Sequence, residues 1–402
     1  MSAYFKYGFI AITKQMVTTV IVVLQLSLFF ISLNIVIGNY NSRDMLCIPF
    51  SDILSKEGYY ISIDRYIMTE LEDGSVSMES RNIEETLNDL TTQLKGNLKN
   101  YRIYTGIVHP SEDSDVGLHL VFIDDEIYNK MTLPLLEGTW VNSADDKMCG
   151  VITHSRNQLN VNDSVEYNGE TFTVSGVLTD ITYVPDFDHF TAGSGIKNFY
   201  VNHSYETAQY DYMLLPLSAI GSGHGTPSHY SILVFDDTLS EADRQYNENV
   251  LSTAEVGHKV ELSEIKMQSD IFLNEDLSKS APLIVCAWII AISGLITSCA
   301  IQIQKNLRDY AVFYLCGSKW SECLLINLIS SLIVTFASAI ISASFLFILS
   351  LLGFGNEAGI VIFSNNIYIS LLICLISVGL SLIIPAFILK NNSAKKILNE
   401  MN

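Results

Sequence analysis

QMVTTVIVVLQLSLFFISLNIVIGNYNS, residues 15–42, contains no charged side chain. The stretch accommodates the roughly 20 consecutive apolar residues that an α-helix needs to cross a hydrocarbon core. Three further windows read the same way: 280–304, 323–356 and 358–389. One window opens the chain and three close it, with a long polar, acidic segment between the first and the second. This pattern predicts a membrane α-helical protein of four spans, one plus three. A large extracellular α+β domain is inserted between helices 1 and 2.

Charge sets the expected orientation. Outside the polar segment the basic residues are Lys6, Lys14, Lys305, Arg308, Lys319, Lys390, Lys395 and Lys396. All lie in the N-terminal segment, the loop after span two or the C-terminal tail, which four spans place on one side. The excess of Lys and Arg in cytoplasmic loops makes that side the cytoplasm, in a cell (plasma) membrane. All but four of the 43 acidic residues fall in the polar segment, which holds 15 of the 23 basic ones. Such a surface repels nucleic acid and suits an exposed, soluble outer domain.

The boundaries follow. An interfacial N-terminal helix covers 1–15, where Tyr4, Phe5, Lys6, Tyr7, Phe9, Ile10 and Lys14 mix aromatic and basic residues. Span one is 16–38. Its apolar core exceeds a secretory h-region and no small-residue cleavage site follows, so it reads as an uncleaved anchor. The outer domain with its stalk is 39–280, span two 281–304, and a cytoplasmic loop or helix 305–322. Span three is 323–352, an outer loop 353–366, span four 367–389 and a cytoplasmic tail 390–402.

Within the outer domain, Ile83, Leu87, Leu90, Leu94 and Leu98 recur at helical intervals, with Asn82 and Glu85 marking the start. Strands are expected at 101–108, 118–123, 199–201, 212–215, 231–235 and 259–262. Asn168-Gly169, flanked by Val165, Tyr167, Phe172 and Val174, predicts a hairpin with a type I′ turn. A helix is expected over 241–253 behind a Ser240 cap. Residues 263–279 lack Pro and Gly and extend span two outward as a helical stalk. Cys47 and Cys149 are the two cysteines of the outer domain, where a disulfide can persist. Their pairing, or their standing as two thiols, is left open.

No catalytic chemistry is legible. The chain has no G-x-x-x-x-G-K-[ST] loop, no H-E-x-x-H and no G-x-S-x-G. The eight histidines lie scattered in the outer domain. His224 with His229, and Asp186 with Asp188 and His189, read as solvated loop residues rather than metal ligands. The spans carry no Asp, Glu, Lys or Arg, which disfavours a proton relay. In span three, Thr335, Ala339 and Ala343, with Ser338 and Ser342, repeat at four-residue steps. Such a stripe permits close helix packing, either within one bundle or at a subunit interface.

The loop after span two reads Asp309-Tyr-Ala-Val-Phe-Tyr-Leu-Cys-Gly-Ser-Lys319. Tyr310, Phe313, Tyr314 and Gly317 fall at helical spacing, Asp309 favours the helix N-terminal dipole, Gly317 can end the helix and Ser318 can cap span three. With the one-plus-three plan, this run is similar to the FtsX/MacB-like ABC transporter permeases. That family carries a run near Glu-Ile-Gly-Ile-Leu-Arg-Ala-Leu-Gly-Ala-Ser here. Asp309 keeps its acid, Ala311 its small residue, Val312 and Phe313 its apolar pair and Gly317 its glycine; Tyr314 replaces the usual basic residue. Val151–His154, Asn162–Val165 and Gly176–Leu178 resemble parts of the family's outer domain, and Pro385 and Ala394–Leu398 its exit and tail.

The resemblance implies a non-catalytic permease subunit without a bound cofactor, with ATP and Mg residing in a separate cytoplasmic ABC ATPase. Asp309, Tyr310, Ala311, Val312, Phe313, Tyr314, Leu315, Cys316, Gly317 and Ser318 would form the ATPase-coupling site. A second permease, identical or not, membrane lipid and an extracellular protein are the other implied partners. Export or release of a peptide, lipid-linked molecule or toxic amphiphile is the expected function. The alternatives are mechanotransmission to an extracellular cell-wall hydrolase and a ligand-binding receptor without an ATPase.

Overall fold

The computed structural model describes residues 2–70, 75–109, 117–154, 158–179, 181–187, 195–204, 210–221, 225–236, 238–254, 256–351 and 364–391. Asp188, His189, His224, Glu357, Lys395, Lys396 and the 394–398 tail therefore lie outside the described residues. Two compact units emerge, one formed by Met1–Ser42 with Glu275–Asn402, the other by Arg43–Asn274.

The elements, in chain order, begin with α1 (Ser2–Thr13), α2 (Met16–Cys47), α3 (Ser51–Leu54), β1 (Glu57–Ile63), β2 (Tyr66–Glu70), β3 (Val76–Ser80) and α4 (Ile83–Gln93). Next come β4 (Leu98–Val108), β5 (Leu118–Ile123), α5 (Asp125–Lys130), β6 (Leu135–Gly138), β7 (Cys149–Ile152), β8 (Ser164–Tyr167) and β9 (Glu170–Leu178). Then follow β10 (Ile181–Pro185), β11 (Tyr200–Ser204), β12 (Asp211–Pro216), β13 (Thr226–Phe235), α6 (Glu241–Thr253) and β14 (Val256–Glu261). Helices α7 (Leu262–Leu315), α8 (Trp320–Leu351), α9 (Ser364–Ser381) and α10 (Ile383–Asn391) complete the chain.

Among the described residues, four helices are long and apolar enough to cross a membrane, one near the N-terminus and three towards the C-terminus. In their unit, Leu26, Phe29 and Phe30 of α2 pack with Ala291, Leu295 and Cys299 of α7, Val334 of α8 and Cys374 of α9. Leu24, Leu28, Leu283, Ile289, Ile340, Phe347 and Ile376 stay exposed, as lipid-facing positions should. Asn327, Ser330, Ser331, Thr335, Ser338 and Ser342 of α8 are buried at helical intervals. They form a polar seam: Gln302 bonds Ser330 at 3.0 Å, Ser381 donates to Ser331 at 3.2 Å, and Ser27 donates to the Ser338 carbonyl at 3.2 Å. Interhelical hydrogen bonds of this kind contribute about 0.6–2 kcal/mol each in membranes. Thus Thr335, Ser338 and Ser342 pack inside one chain, while Ala343 is exposed.

The fourth span, Asn365–Lys390, has a one-residue break at Leu382 that separates α9 from α10. Pro385 is the physical cause: it has no N–H to give to the Ser381 carbonyl, and its ring crowds that group. The expected stalk residues 263–279 belong to α7, which continues through span two without interruption to Leu315.

The α+β domain is built on one mixed ten-stranded sheet, ordered β14-β1-β13-β4-β5-β12-β7-β9-β6 with β8 paired to β9. Residues alternate faces along each strand. On one face Tyr60, Tyr101, Ile103, Val121 and Leu214 meet Phe50, Tyr128, Phe187 and Phe199. On the other, Leu120, Phe122, Met213 and Leu215 pack with Phe172 and Val174, while Tyr59, Ile61, Leu233 and Phe235 pack with Leu87, Leu90 and Leu251 of α4 and α6.

Local signals explain the elements. The Asn82 side chain accepts from Glu85 N–H at 3.3 Å at the start of α4, and Ser240 accepts from Asp243 N–H at 3.2 Å at the start of α6. Asn168 and Gly169 both adopt positive φ, 50° and 83°, as a type I′ turn requires. Leu98 is not the next turn of α4. The helix ends at Gln93, Gly96 turns the chain at φ +110°, and Leu98 opens β4.

One charged network ties α5 to the sheet. The Glu126 carboxylate accepts from Lys99 Nζ at 2.6 Å, from the Tyr101 hydroxyl at 2.8 Å and from Lys130 Nζ at 3.0 Å, and Lys130 also donates to Asp52 at 2.9 Å. The Lys99 ammonium, helped by Lys130 and Tyr101, holds the Glu126 carboxyl at about 2 against partial burial that would raise it.

Candidate functional site

The expected coupling segment occupies the last turns of α7, Asp309 to Leu315, and the turn into α8, Cys316 to Ser318, and the geometry sorts its residues by face. Helix α7 closes in a Schellman motif: Ser318 N–H donates to the Phe313 carbonyl at 3.0 Å and Gly317 N–H to the Tyr314 carbonyl at 3.1 Å. Gly317 takes φ +99°, with nothing within 4 Å of where a Cβ would stand. Glycine is therefore required here by backbone conformation and not by crowding. Helix α8 starts at Trp320, so Lys319, not Ser318, occupies the cap position. Glu322 accepts from the Lys319 N–H at 3.3 Å, half of a capping box, which explains the displacement.

Two of the segment's residues point inward. Tyr310 is 2% exposed and its hydroxyl accepts from Asn327 Nδ2 at 3.2 Å. Ala311 is fully buried against Leu307 and Trp320. Phe313 is half-buried, its ring edge-on to Tyr7 of α1 at 5.6 Å. Helix α1 can lie this close to α8 because Gly8 presents no side chain to Ile329, whose Cγ2 would stand 3.1 Å from an added Cβ. Lys14 also reaches Asp309 at 3.5 Å, an exposed pair worth little on its own.

The outward face is different. Val312 is 45% exposed, Tyr314 43% and Leu315 64%, and Cys316 is exposed beside them. Tyr314 is held against Trp320, rings stacked at 4.8 Å and 19°. The result is a short apolar ridge at the tip of a helix pair, of the kind that seats in a partner's groove. Sequence spacing placed Tyr310 and Phe313 on the same surface as Tyr314. What sorts them is the pull of α8 and α1, elements distant in sequence.

The disulfide considered for Cys47 and Cys149 is not formed; both are free thiols. Cys149 opens β7 with its Sγ 3.3 Å from Asp146 Oδ2, and burial together with that carboxylate pushes its pKa up to about 11. Cys47, at the end of α2, packs against the Tyr60–Phe50 cluster instead. Among the histidines, His119 lines a cavity, His203 is buried, and His229 accepts from Arg65 Nε at 3.0 Å. Among the described residues no group of three His, Cys, Asp or Glu is placed to hold a metal ion.

No protein-family model matches the chain, and no curated protein matches it. Among solved structures, the periplasmic region of MacB from Actinobacillus actinomycetemcomitans is 16% identical, with a TM-score of 0.28, and the match covers 55% of this chain and 95% of that one. The extracellular domain of the noncanonic ABC-type transporter YknZ from Gram-positive bacteria is 14% identical, with a TM-score of 0.22, covering 50% of this chain and 97% of that one.

Proposed function

We propose that the chain is the permease subunit of an ABC-type machine, and that a separate cytoplasmic ATPase docks on the ridge formed by Val312, Tyr314 and Leu315. The observation that carries this reading is the α7–α8 turn: a glycine-closed, aromatic-braced elbow that exposes an apolar ridge on the side where the basic residues of the short segments gather. The one-plus-three plan and the likeness of the Asp309–Lys319 run to the FtsX/MacB-like permeases support it. In this reading two such subunits pair, and closure of the ATPases on ATP and Mg pushes the two elbows. Helix α7 is the lever, because it begins directly after β14 and ends at the elbow. The lever moves the α+β domain, outside the cell, to export or release a peptide, lipid-linked molecule or toxic amphiphile.

The experiment is purification of the tagged protein from its own membranes in mild detergent, with mass spectrometry of its companions, beside a Gly317→Pro variant. A stoichiometric ATPase present with the wild type and absent from the variant supports the reading. Absence of any ATPase, under conditions that keep other membrane complexes intact, contradicts it and favours a receptor. A stable partner on the α+β domain together with the ATPase identifies the machine as a regulator of that partner.

A further inference from the structure

The α+β domain contains a cavity of about 770 Å³, within the size range of small-ligand pockets. Part of its floor is a row across three strands: Ile107 of β4 stands opposite His119 of β5, which stands opposite Tyr212 of β12. Tyr66 and Tyr210 line its sides, with Arg65 and Asp186 among its charged residues. The His119 ring lies 4.3 Å from Tyr210 and 5.6 Å from Tyr212. Burial pulls the His119 pKa below its usual value, against the Asp186 charge that would raise it.

Polar side chains share this lining with the rings: Arg65, Arg81, Asp186, Thr105, Thr226 and Ser228 all border the cavity. Aromatic faces and hydrogen-bonding groups therefore occur together around it.

We propose that this cavity is a recognition site for a short peptide carrying an aromatic side chain. The aromatic ring stacks among Tyr66, Tyr210 and His119, where offset and edge contacts add to burial. The peptide's amide N–H and C=O groups meet the polar groups of the cavity. A lipid chain offers no such groups. Tyrosine-rich walls suit this role because Tyr gives large contact area at low entropic cost. The site does not depend on the ATPase: binding here needs no nucleotide, and it stands or falls separately from docking at the elbow.

The test uses the full-length protein in lipid nanodiscs, without ATPase or ATP, and saturation-transfer NMR with two capped probes, acetyl-Tyr-Gly-Tyr-amide and acetyl-Leu-Gly-Leu-amide. The expected result is binding of the tyrosine probe at least tenfold tighter than the leucine probe. Ile107→Trp, which fills the cavity from a side chain that is 58% exposed, and Tyr210→Ala, which removes a stacking wall from one 43% exposed, should each weaken it at least tenfold. Both variants should unfold at the wild-type temperature. No binding of the tyrosine probe, equal binding of the two probes, or unchanged binding to both folded variants would overturn the assignment.

Discussion

Tyr314 and Trp320 stack across the Gly317 turn, ring centroids 4.8 Å apart and planes 19° from parallel. The pair clamps the last turn of α7 to the first of α8, so the exposed side chains of the elbow project from a fixed base. Trp320→Ala should remove a stacking contribution of about 0.5–1.5 kcal/mol beyond area burial. The expected outcome is a protein that inserts normally yet gives weaker cross-linking between its elbow and the ATPase.

Gly317 sits in the left-handed region without steric crowding. Gly317→Ala should therefore cost about 1–2 kcal/mol from backbone conformation alone, and Gly317→Asn less, since Asn tolerates that conformation. Thermal unfolding in detergent would rank them wild type, Asn, Ala. If Ala matched wild type, the Schellman geometry assigned to Gly317 would be wrong.

Inward and outward faces of the proposed coupling segment should separate cleanly. Tyr310→Phe deletes the bond from Asn327 and should lower stability by about 1 kcal/mol while leaving the ATPase bound. Val312→Asp and Leu315→Glu change exposed positions and should release the ATPase with little change in stability. Quantitative co-purification and a melting curve for each variant check both halves.

Glu126 makes acid stability legible. Its folded pKa of about 2 lies below the ordinary glutamate value of 4.5, so its contribution is complete above pH 4.5 and is lost as pH falls through 2. Glu126→Gln should flatten the fall in stability between those limits and lower stability at pH 7. The group is partly exposed, so the effect should stay below about 1 kcal/mol. Unfolding of the full-length protein followed from pH 7 down to 2 is the measurement, and an unchanged slope in the variant would contradict the network.

The thiols offer a count. Denatured without reductant, the protein should take up seven maleimides, one for each cysteine. Two fewer would mean that Cys47 and Cys149 had paired.

What the sequence revealed depended on how locally each feature is written. The spans, the Asn168-Gly169 hairpin and the Asn82 and Ser240 caps are set by neighbours in the chain, and each was readable. Leu98 misled because helical spacing continued past the Gly96 turn that had already ended the helix. Ser318 misled because the reach of Glu322 back to Lys319 decides the cap. The burial of Tyr310 depends on Asn327 and α8, and the position of Phe313 on Tyr7 of α1, so no local pattern separates them from Val312 and Leu315. The cavity floor was illegible for the same reason. Ile107, His119 and Tyr212 come from three separate strands, and only the sheet order brings them into one row.

The most direct measurement is site-specific photo-cross-linking in native membranes, with the photoreactive residue placed at Leu315 in one sample and at Tyr310 in another. The account predicts a covalent adduct between Leu315 and a cytoplasmic ATPase and none from buried Tyr310. No ATPase adduct at Leu315, with the protein fully inserted and the ATPase present, would contradict docking at the elbow.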